Sequence, residues 1–196
     1  MKFSIIIPAY NAEYHIRQAL DSVAAQTFKD YELIVVCDSC TDRTEEIAQE
    51  YGARTARVDF HQDGQTRNKG IDMAKGDWLL FIDDDDWWMT PDVLQKISDK
   101  LDSKPNIDIL CFAFDFKGRG IVGPRGNAGQ HWIAVWNKCW RRSFVGSTRF
   151  STKKMISDVD FHVQNFQKNP RILDWNEPLY FYNYLRQGSQ TEKAQR

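Results

Sequence analysis

Short apolar runs and segments of helical periodicity alternate over the first 116 residues of the chain. The runs are rich in β-branched or aromatic residues and end at polar or proline positions, which is typical of buried strands. Between them, apolar residues recur three or four positions apart, as at Ile16, Leu20 and Val23, which predicts helices with one buried face. The predicted strands cover residues 3–7, 31–36, 53–58, 77–82 and 107–116.

Polar residues in front of the periodic segments predict where helices begin. Asn11 is expected to cap the first helix, and Asp42 with Glu45 forms a capping box for a helix reaching about residue 51. A third helix is expected over residues 65–75. Thr90 and Pro91 are expected to supply the N-cap and the first-turn proline of a fourth.

The alternation predicts an α/β fold with a mostly parallel central sheet and helices on both faces. After residue 116 the pattern changes. Residues 117–130 contain five glycines and a proline, which predicts a loop, whereas residues 157–168 are expected to be helical and residues 174–184 extended. No linker divides the chain, so residues 1–196 are interpreted as a single domain.

The charge is distributed unevenly along the chain. The formal net charge is −1, but residues 1–100 hold 11 Lys+Arg against 19 Asp+Glu, whereas residues 101–196 hold 15 against 8. An acidic half can hold a metal ion. A basic half can face an anionic partner such as a phosphorylated acceptor, a lipid headgroup or nucleic acid.

Several functional classes lack their signatures. There is neither a G-x-G-x-x-G nor a G-x-x-x-x-G-K-[ST] motif, no signal peptide and no apolar run of membrane-spanning length. The expected location is therefore the cytoplasm, with peripheral attachment to the inner face of a membrane as the alternative. Four cysteines are expected to be free thiols. Two of them, Cys37 and Cys40, form a C-x-x-C motif, for which a loop at the sheet edge is favoured over a redox or zinc site.

Acidic residues follow two predicted strands at the point where each ends. Asp83, Asp84, Asp85 and Asp86 come directly after one strand, and Asp38 after another. Ligands of open α/β sheets bind beyond the carboxyl ends of the strands. Adjacent carboxylates repel one another unless a cation compensates, and Mg²⁺ or Mn²⁺ prefers such oxygen ligands. The pattern therefore predicts a divalent metal site at this edge.

Six stretches, taken in order, resemble the family 2 glycosyltransferases of the GT-A fold. They are residues 4–11 (SIIIPAYN), 35–42 (VVCDSCTD), 64–70 (GQTRNKG), 81–86 (FIDDDD), 135–138 (VWNK) and 157–161 (SDVDF). The resemblance implies a GT-A-like, Rossmann-like fold. Residues 1–116 would form the nucleotide-sugar-binding half, and residues 117–196 a small C-terminal acceptor-side half.

The resemblance also implies roles for individual residues. Asp38 would hydrogen-bond the nucleobase, Arg67 would approach the diphosphate, and Asp158 would act as the general base, with Asp160 as the competing candidate. The implied donor-binding residues are Pro8, Ala9, Tyr10, Asn11, Asp38, Arg67, Asp83 and Asp84, and the implied metal ligands are Asp83 and Asp85.

The resulting hypothesis is an inverting glycosyltransferase that uses a UDP-sugar and Mn²⁺ or Mg²⁺. The acceptor would be a saccharide, a lipid-linked molecule or another hydroxyl compound, and a homo-oligomer is left open. Cys37, Ser39 and Ser157 depart from the family pattern, where Asp, Gly and Glu are usual. These departures keep open a sugar-nucleotide-binding subunit without turnover. The basic second half keeps open transfer to a modified nucleic-acid base, which is the less favoured acceptor.

Overall fold

The computed structural model of the protein describes residues 1–126, 129–153 and 157–184. Of the loop predicted over residues 117–130, residues 127 and 128 therefore lie outside the described residues. The strands are β1 (Phe3–Ala9), β2 (Tyr31–Asp38), β3 (Arg54–Val58), β4 (Trp78–Phe81), β5 (Trp87–Trp88), β6 (Ile109–Phe116), β7 (Gly120–Val122), β8 (Lys138–Arg141) and β9 (Ile172–Tyr182). The helices are α1 (Ile16–Ala24), α2 (Thr44–Glu50), α3 (Asp63–Met73), α4 (Val93–Asp102), α5 (Arg142–Val145) and α6 (Ser157–Phe166).

The nine described strands form one sheet in the order β3-β2-β1-β4-β8-β6-β9-β5, with β7 paired to β6. The first four strands in this order are parallel, as the alternating pattern predicts. Beyond β4 the sheet becomes mixed, because β8 runs antiparallel to both of its neighbours and β9 returns parallel to β6. The predicted α/β architecture is confirmed, with its parallel strands concentrated in the first half of the chain.

The core lies around β1, which is flanked on both sides by parallel strands. The apolar residues Phe3, Ile5, Ile6 and Ile7 are fully buried. Strands inside a parallel sheet are buried on both faces, which explains the continuous apolar run of β1. Helix α3 packs directly on β1 and β2. Gly70 makes this close approach feasible, since a Cβ there would lie 2.3 Å from Ile6 Cγ2. The carboxyl end of β1 is thereby fixed between its neighbours.

The predicted helix starts are wrong in detail, because the capping side chains bond to other partners. Helix α1 begins at Ile16, and Asn11 instead adopts a left-handed backbone with φ of 46° and accepts a hydrogen bond from Thr41 N at 2.8 Å. Helix α4 begins only at Val93, after the predicted cap at Thr90. The remaining predicted strands and helices are found within a few residues of their expected bounds.

The capping box at α2 is also wrong. The helix begins at Thr44, one residue later than a cap at Asp42 requires, although the Asp42 carboxylate does accept a hydrogen bond from Thr44 N at 3.0 Å. Glu45 turns to the neighbouring strand β3, where it pairs with Arg57 and accepts a hydrogen bond from Thr55.

Within the described ranges, no helix combines the length and apolar character that crossing a membrane requires.

Candidate active site

Three chain segments meet at the carboxyl edge of the parallel strands. Since β1 lies between β2 and β4 in register, the turn after β1, the end of β2 and the acidic run after β4 are neighbours. Sequence reasoning placed Pro8, Asn11, Asp38 and the run from Asp83 at this edge. The structure brings all of them together there.

The Asp38 carboxylate is engaged by protein donors on both oxygens. Oδ1 accepts from Phe60 N at 2.8 Å and His61 N at 3.0 Å, and Oδ2 accepts from Gln62 N at 3.0 Å and Thr66 Oγ1 at 2.8 Å. Burial disfavours ionisation, but these hydrogen bonds outweigh it, so the pKa of Asp38 lies below its usual value. These four donors fill the acceptor capacity of a carboxylate, and the Ser39 hydroxyl lies 3.0 Å from Oδ1 as a further neighbour. The Asp38 side chain therefore fixes the loop before α3.

The residues flanking Asp38 explain two departures from the family pattern. Ser39, where the family has glycine, adopts φ of 55°, and its hydroxyl lies 2.7 Å from Asp59 Oδ1. Cys37 is fully buried on the other face of β2, and Cys40 donates to Ala9 O at 3.4 Å. Both are free thiols, and the hydrogen bond with Cys40, together with burial, raises the pKa of Cys37. The same hydrogen bond lowers the pKa of Cys40, against the effect of burial. Cys37 lies within strand β2, so of the two cysteines only Cys40 lies in the loop that the sequence predicts at the sheet edge.

Arg67 links the acidic run to helix α6. The guanidinium is buried and donates from Nη2 to Asp83 Oδ1 at 2.7 Å and from Nη1 to Asp158 Oδ1 at 3.3 Å. It lies over the ring of Phe150, 5.7 Å from the centroid. Its Nε–H has no acceptor among the described residues. A buried guanidinium with a remaining donor is suited to an anionic ligand such as a phosphate.

Gly64 allows α6 to approach α3 closely enough for this contact. A Cβ on Gly64 would lie 2.6 Å from Ser151 O and 2.7 Å from Ser157 Cβ. The first turn of α6, which carries Asp158, therefore packs against the helix that carries Arg67. Asp158 rather than Asp160 pairs with Arg67.

Asp83 occupies an electrostatically crowded position. Burial raises the pKa of its carboxyl to about 6, Arg67 opposes this shift, and the neighbouring carboxylates of Asp158 and Asp85 add to it. A carboxylate surrounded by others is stabilised by a cation, and Mg²⁺ and Mn²⁺ take oxygen ligands of this kind. The donor set of Asp83 and Asp85 therefore fits a hard divalent ion.

Asp84 joins the acidic run to the turn after β1. One oxygen accepts a hydrogen bond from Tyr10 N at 3.3 Å, and the other lies 3.3 Å from His15 Nε2. The side chain of Tyr10 is exposed, with 59% of its surface open to solvent. The turn is thus held by its backbone, which leaves the aromatic ring facing solvent at the edge of the site.

The fourth carboxylate of the run, Asp86, was not among the predicted site residues. It is 1% exposed, accepts from Tyr180 Oη at 2.7 Å and from Asn183 N at 2.8 Å, and burial raises its pKa well above the usual value. Tyr180 Oη in turn accepts from Asp83 N at 3.1 Å. The acidic turn is therefore anchored to β9. No sequence signal marked this contact, because its partners lie more than 90 positions downstream.

Two surface cavities of about 390 and 440 Å³ lie at the opposite, amino ends of the strands. Neither contains a predicted site residue. Their walls include Leu33 and Arg54 in one, and Lys2 and Asp102 in the other. The predicted site residues that follow the strands lie instead at the carboxyl edge of the parallel strands.

Comparison with known proteins identifies relatives that align with more than nine tenths of this chain. EpsJ of Bacillus subtilis (strain 168), named an uncharacterized glycosyltransferase, is 36% identical over 209 residues, covering 91% of this chain and 60% of EpsJ. The poly(ribitol-phosphate) beta-N-acetylglucosaminyltransferase TarS of Staphylococcus aureus (strain Mu50 / ATCC 700699) is 31% identical over 215 residues, covering 99% of this chain and 37% of TarS.

A solved structure confirms the expected fold. The crystal structure of S. aureus TarS 1-349 in complex with UDP-GlcNAc matches with a TM-score of 0.85 and 25% identity, covering 98% of this chain and 61% of that one. This chain thus spans between 37% and 61% of the lengths of these proteins. The family model described as glycosyl transferase family 2 matches residues 4–169. The protein therefore belongs to glycosyl transferase family 2.

Proposed function

We propose that the protein transfers a sugar from a UDP-sugar to an acceptor hydroxyl with inversion at the anomeric carbon, in a reaction that depends on Mn²⁺ or Mg²⁺. The observation that carries the proposal is the buried Arg67 guanidinium held between Asp83 and Asp158. Arg67, itself a donor suited to an anion, contacts both the proposed metal ligand Asp83 and the proposed base Asp158. A solved relative, TarS, binds UDP-GlcNAc, which supports a uridine nucleotide donor.

The donor would lie along the carboxyl edge of β1. Pro8, Ala9, Tyr10 and Asn11 would form the wall beside the nucleoside, with the exposed Tyr10 ring available for stacking. Asp38 would shape this pocket through the loop it fixes, because four protein donors already occupy its carboxylate. This assigns Asp38 a positioning role in place of the direct hydrogen bond to the base that the family resemblance implies.

Negative charge develops on the diphosphate as the sugar departs. A divalent ion held by Asp83 and Asp85 would neutralise part of that charge. Arg67 would supply the rest, since its buried Nε–H lacks an acceptor among the described residues. Asp84, fixed between Tyr10 N and His15, would face the ribose.

Asp158 would take the proton from the acceptor hydroxyl. A hydroxyl is a weak nucleophile until a base removes its proton, and a carboxylate within hydrogen-bond reach serves this purpose. The contact with Arg67 orients Asp158 toward the proposed donor site. Attack on the face opposite the departing diphosphate inverts the anomeric carbon. Asp160 has no comparable contact with Arg67.

The two halves of the chain would bind different substrates. Residues 1–116 would bind the donor, and residues 117–196, which carry an excess of Lys and Arg, would face the acceptor. A saccharide, lipid-linked or polymeric hydroxyl acceptor bearing phosphate would suit this basic half. The name of TarS, a poly(ribitol-phosphate) enzyme, supports an anionic polymer as one such acceptor.

The test of the proposed reaction is an assay of the purified protein with a panel of nucleotide sugars and Mn²⁺. Release of UDP from one uridine donor, dependent on the ion, is the expected result. No turnover of any donor by the folded protein would contradict the proposal. Tight UDP binding without turnover would instead indicate the sugar-nucleotide-binding subunit.

Asp158→Asn tests the assignment of the base. Since general base catalysis contributes about 10²–10⁴-fold, the rate of transfer should fall by that factor while UDP binding is kept. Asp160→Asn is the matched control on the same helix and should retain most of the activity. A larger loss in Asp160→Asn than in Asp158→Asn would reverse the assignment.

A further inference from the structure

A second cluster of ligating side chains lies in the antiparallel half of the sheet and shares no residue with the proposed donor site. It consists of Cys111 on β6, Asp174 on β9 and His131 in the segment before β8, and we call it the Cys111 cluster. Cys111 and Asp174 are direct neighbours in the parallel register of β6 and β9. The sulfur, one imidazole nitrogen and one carboxylate oxygen all lie within 4.8 Å of one another.

The three side chains combine burial with one route to solvent. Cys111 is fully buried and only 7% of the His131 side chain is exposed, whereas 30% of the Asp174 side chain is exposed. His131 Nε2 lies 2.7 Å from Asp174 Oδ1, and Arg125 Nε donates to the other oxygen of Asp174 at 2.6 Å. Arg125 thus leaves one oxygen of Asp174 directed toward the cluster and holds the carboxylate in place, as outer partners of metal ligands do.

Lys138 is the other cation beside the cluster, since it pairs with Cys111 across β8 and β6. Its ammonium is already held by three oxygens, at 2.6 Å from Trp132 O, 2.6 Å from Ala134 O and 2.8 Å from Asn137 Oδ1. Burial lowers the pKa of Lys138 to about 8, with Cys111, Asp158 and Asp174 opposing the shift. Because these three oxygens satisfy the ammonium, Lys138 does not need the side chains of the Cys111 cluster as hydrogen-bond acceptors.

His162 supplies a further imidazole next to the cluster. Its ring stacks on Phe166 at 3.9 Å, and the ring of His131 packs on the same phenyl group at 5.2 Å. His162 Nδ1 is buried and has no hydrogen-bond partner among the described residues. Burial lowers the pKa of His162 to about 4, with Lys138 and His131 adding to the shift, so this neighbour adds no positive charge at pH 7.

We propose that Cys111, His131 and Asp174 bind a zinc-class divalent ion. Thiolate and imidazole donors select Zn²⁺ over Mg²⁺ and Mn²⁺, which prefer oxygen ligands of the kind at Asp83 and Asp85. On binding, the Cys111 thiol releases its proton to solvent, and the ion replaces the hydrogen bond between His131 and Asp174. The thiolate and the carboxylate then balance the two positive charges, and water completes four-fold coordination.

An ion at this position would join three parts of the chain that are distant in sequence. It would fasten β6, β9 and the segment before β8 to one another, under the helix that carries the proposed base. Because an unfolded chain does not hold these ligands together, the ion should raise the melting temperature of the native protein.

The test uses chelator-treated protein in a Cys37→Ser/Cys40→Ser background, so that the C-x-x-C pair contributes no thiolate. Co²⁺ is the probe, since a Co²⁺–thiolate bond gives an intense near-ultraviolet absorption that carboxylate ligands do not. We expect this absorption in the background protein and its loss in Cys111→Ser. Cys139→Ser is the matched control, because Cys139 is equally buried on the neighbouring strand, and it should retain the absorption.

A second pair of variants keeps the test decisive if Cys111→Ser does not fold. His131→Gln and Asp174→Asn should each weaken Co²⁺ binding by more than about tenfold, the scale that even outer partners of a metal site produce. Zn²⁺ should raise the melting temperature of the background protein and compete with Co²⁺. Absence of the thiolate absorption in the background protein, or its persistence in Cys111→Ser, would overturn the proposal.

Discussion

Asp38 and Asp83 stand at the same edge of the sheet, at or just beyond the ends of the two strands that flank β1, yet their carboxylates are in opposite electrostatic situations. Three backbone N–H groups and the Thr66 hydroxyl saturate Asp38, and its pKa is lowered. Asp83 has one donor side chain, Arg67, and its pKa is raised to about 6 by burial, against the effect of Arg67.

The difference separates two kinds of acidic residue at a ligand-binding edge. A carboxylate whose acceptor sites are filled by the chain stabilises local structure. The Asp83 carboxylate is crowded by Asp85 and Asp158, and Arg67 compensates only part of the effect of burial and of these charges, because the pKa of Asp83 stays raised. Position at a strand end identifies both as candidates, and their partners distinguish them: the donors of Asp38 all come from the chain, whereas Asp83 is the carboxylate that we propose as a metal ligand.

The largest expected effect tests Asp83, the carboxylate with the raised pKa. Asp83→Asn should lower metal-dependent transfer by about 10²–10³-fold, the scale seen when one electrostatic contact to the transition state is removed. Rates of UDP release at saturating Mn²⁺ give the measurement. Asp77→Asn is the matched control, since Asp77 is exposed at the other end of the same strand, and its rate should be unchanged. Equal rates of UDP release for Asp83→Asn and wild type would contradict the proposed role of Asp83 as a metal ligand.

Asp38→Asn should instead act on stability. An amide oxygen cannot accept from all four donors, so buried N–H groups lose their partner, at a cost of about 1–3 kcal/mol each. A loss of about 2–4 kcal/mol in the free energy of unfolding is therefore expected from urea denaturation. Asp59→Asn, in the same loop but highly exposed, should change it by less than about 0.5 kcal/mol. A fully stable Asp38→Asn protein would show that the donors do not depend on the carboxylate.

The same variant gives a test by pH. Because the folded pKa of Asp38 is depressed, its stabilising contribution is complete above the unfolded value of about 3.9 and is lost as the pH falls through the folded value. The stability difference between wild type and Asp38→Asn should therefore be constant near neutral pH and should narrow below about pH 4. A difference that widens in acid would contradict the assigned direction.

The smallest expected effect concerns the anchor of the acidic turn. Tyr180→Phe removes the hydroxyl that accepts from Asp83 N and donates to Asp86, so the free energy of unfolding should fall by about 1–3 kcal/mol and Mn²⁺ affinity should weaken. Tyr51→Phe, whose hydroxyl contacts the side chains of Asp21 and Arg17 away from the acidic turn, should leave Mn²⁺ affinity unchanged. Unaltered Mn²⁺ affinity in Tyr180→Phe would show that the turn holds its shape without β9.

The sequence predicted the parallel half of the fold and the edge at which the site lies. Short apolar runs mark β1, β2 and β4, and strand ends mark where Asp38 and Asp83 meet. It did not predict the protein donors of Asp38, because three of them come from the loop before α3, which has no periodic pattern. Nor did it predict the tether between Asp86 and Tyr180, which depends on β9 returning beside β5.

The wrong helix caps have the same origin. Asn11 is a residue type that commonly caps helices, but its side-chain oxygen Oδ1 accepts a hydrogen bond from Thr41 N across the site. This tertiary contact outweighs the local preference. Glu45 likewise pairs with Arg57 on β3 instead of closing a capping box. Local patterns predicted the elements themselves, whereas contacts distant in sequence determined their ends and the partners of the acidic residues.

The most direct measurement of the central claim is calorimetric titration of UDP into the protein with and without Mn²⁺, repeated for Asp83→Asn/Asp85→Asn. The account predicts binding that is tight in the presence of the ion, weak in its absence, and equally weak with or without the ion in the double variant. UDP binding of the same strength in all four titrations would contradict a cation held at the end of β4.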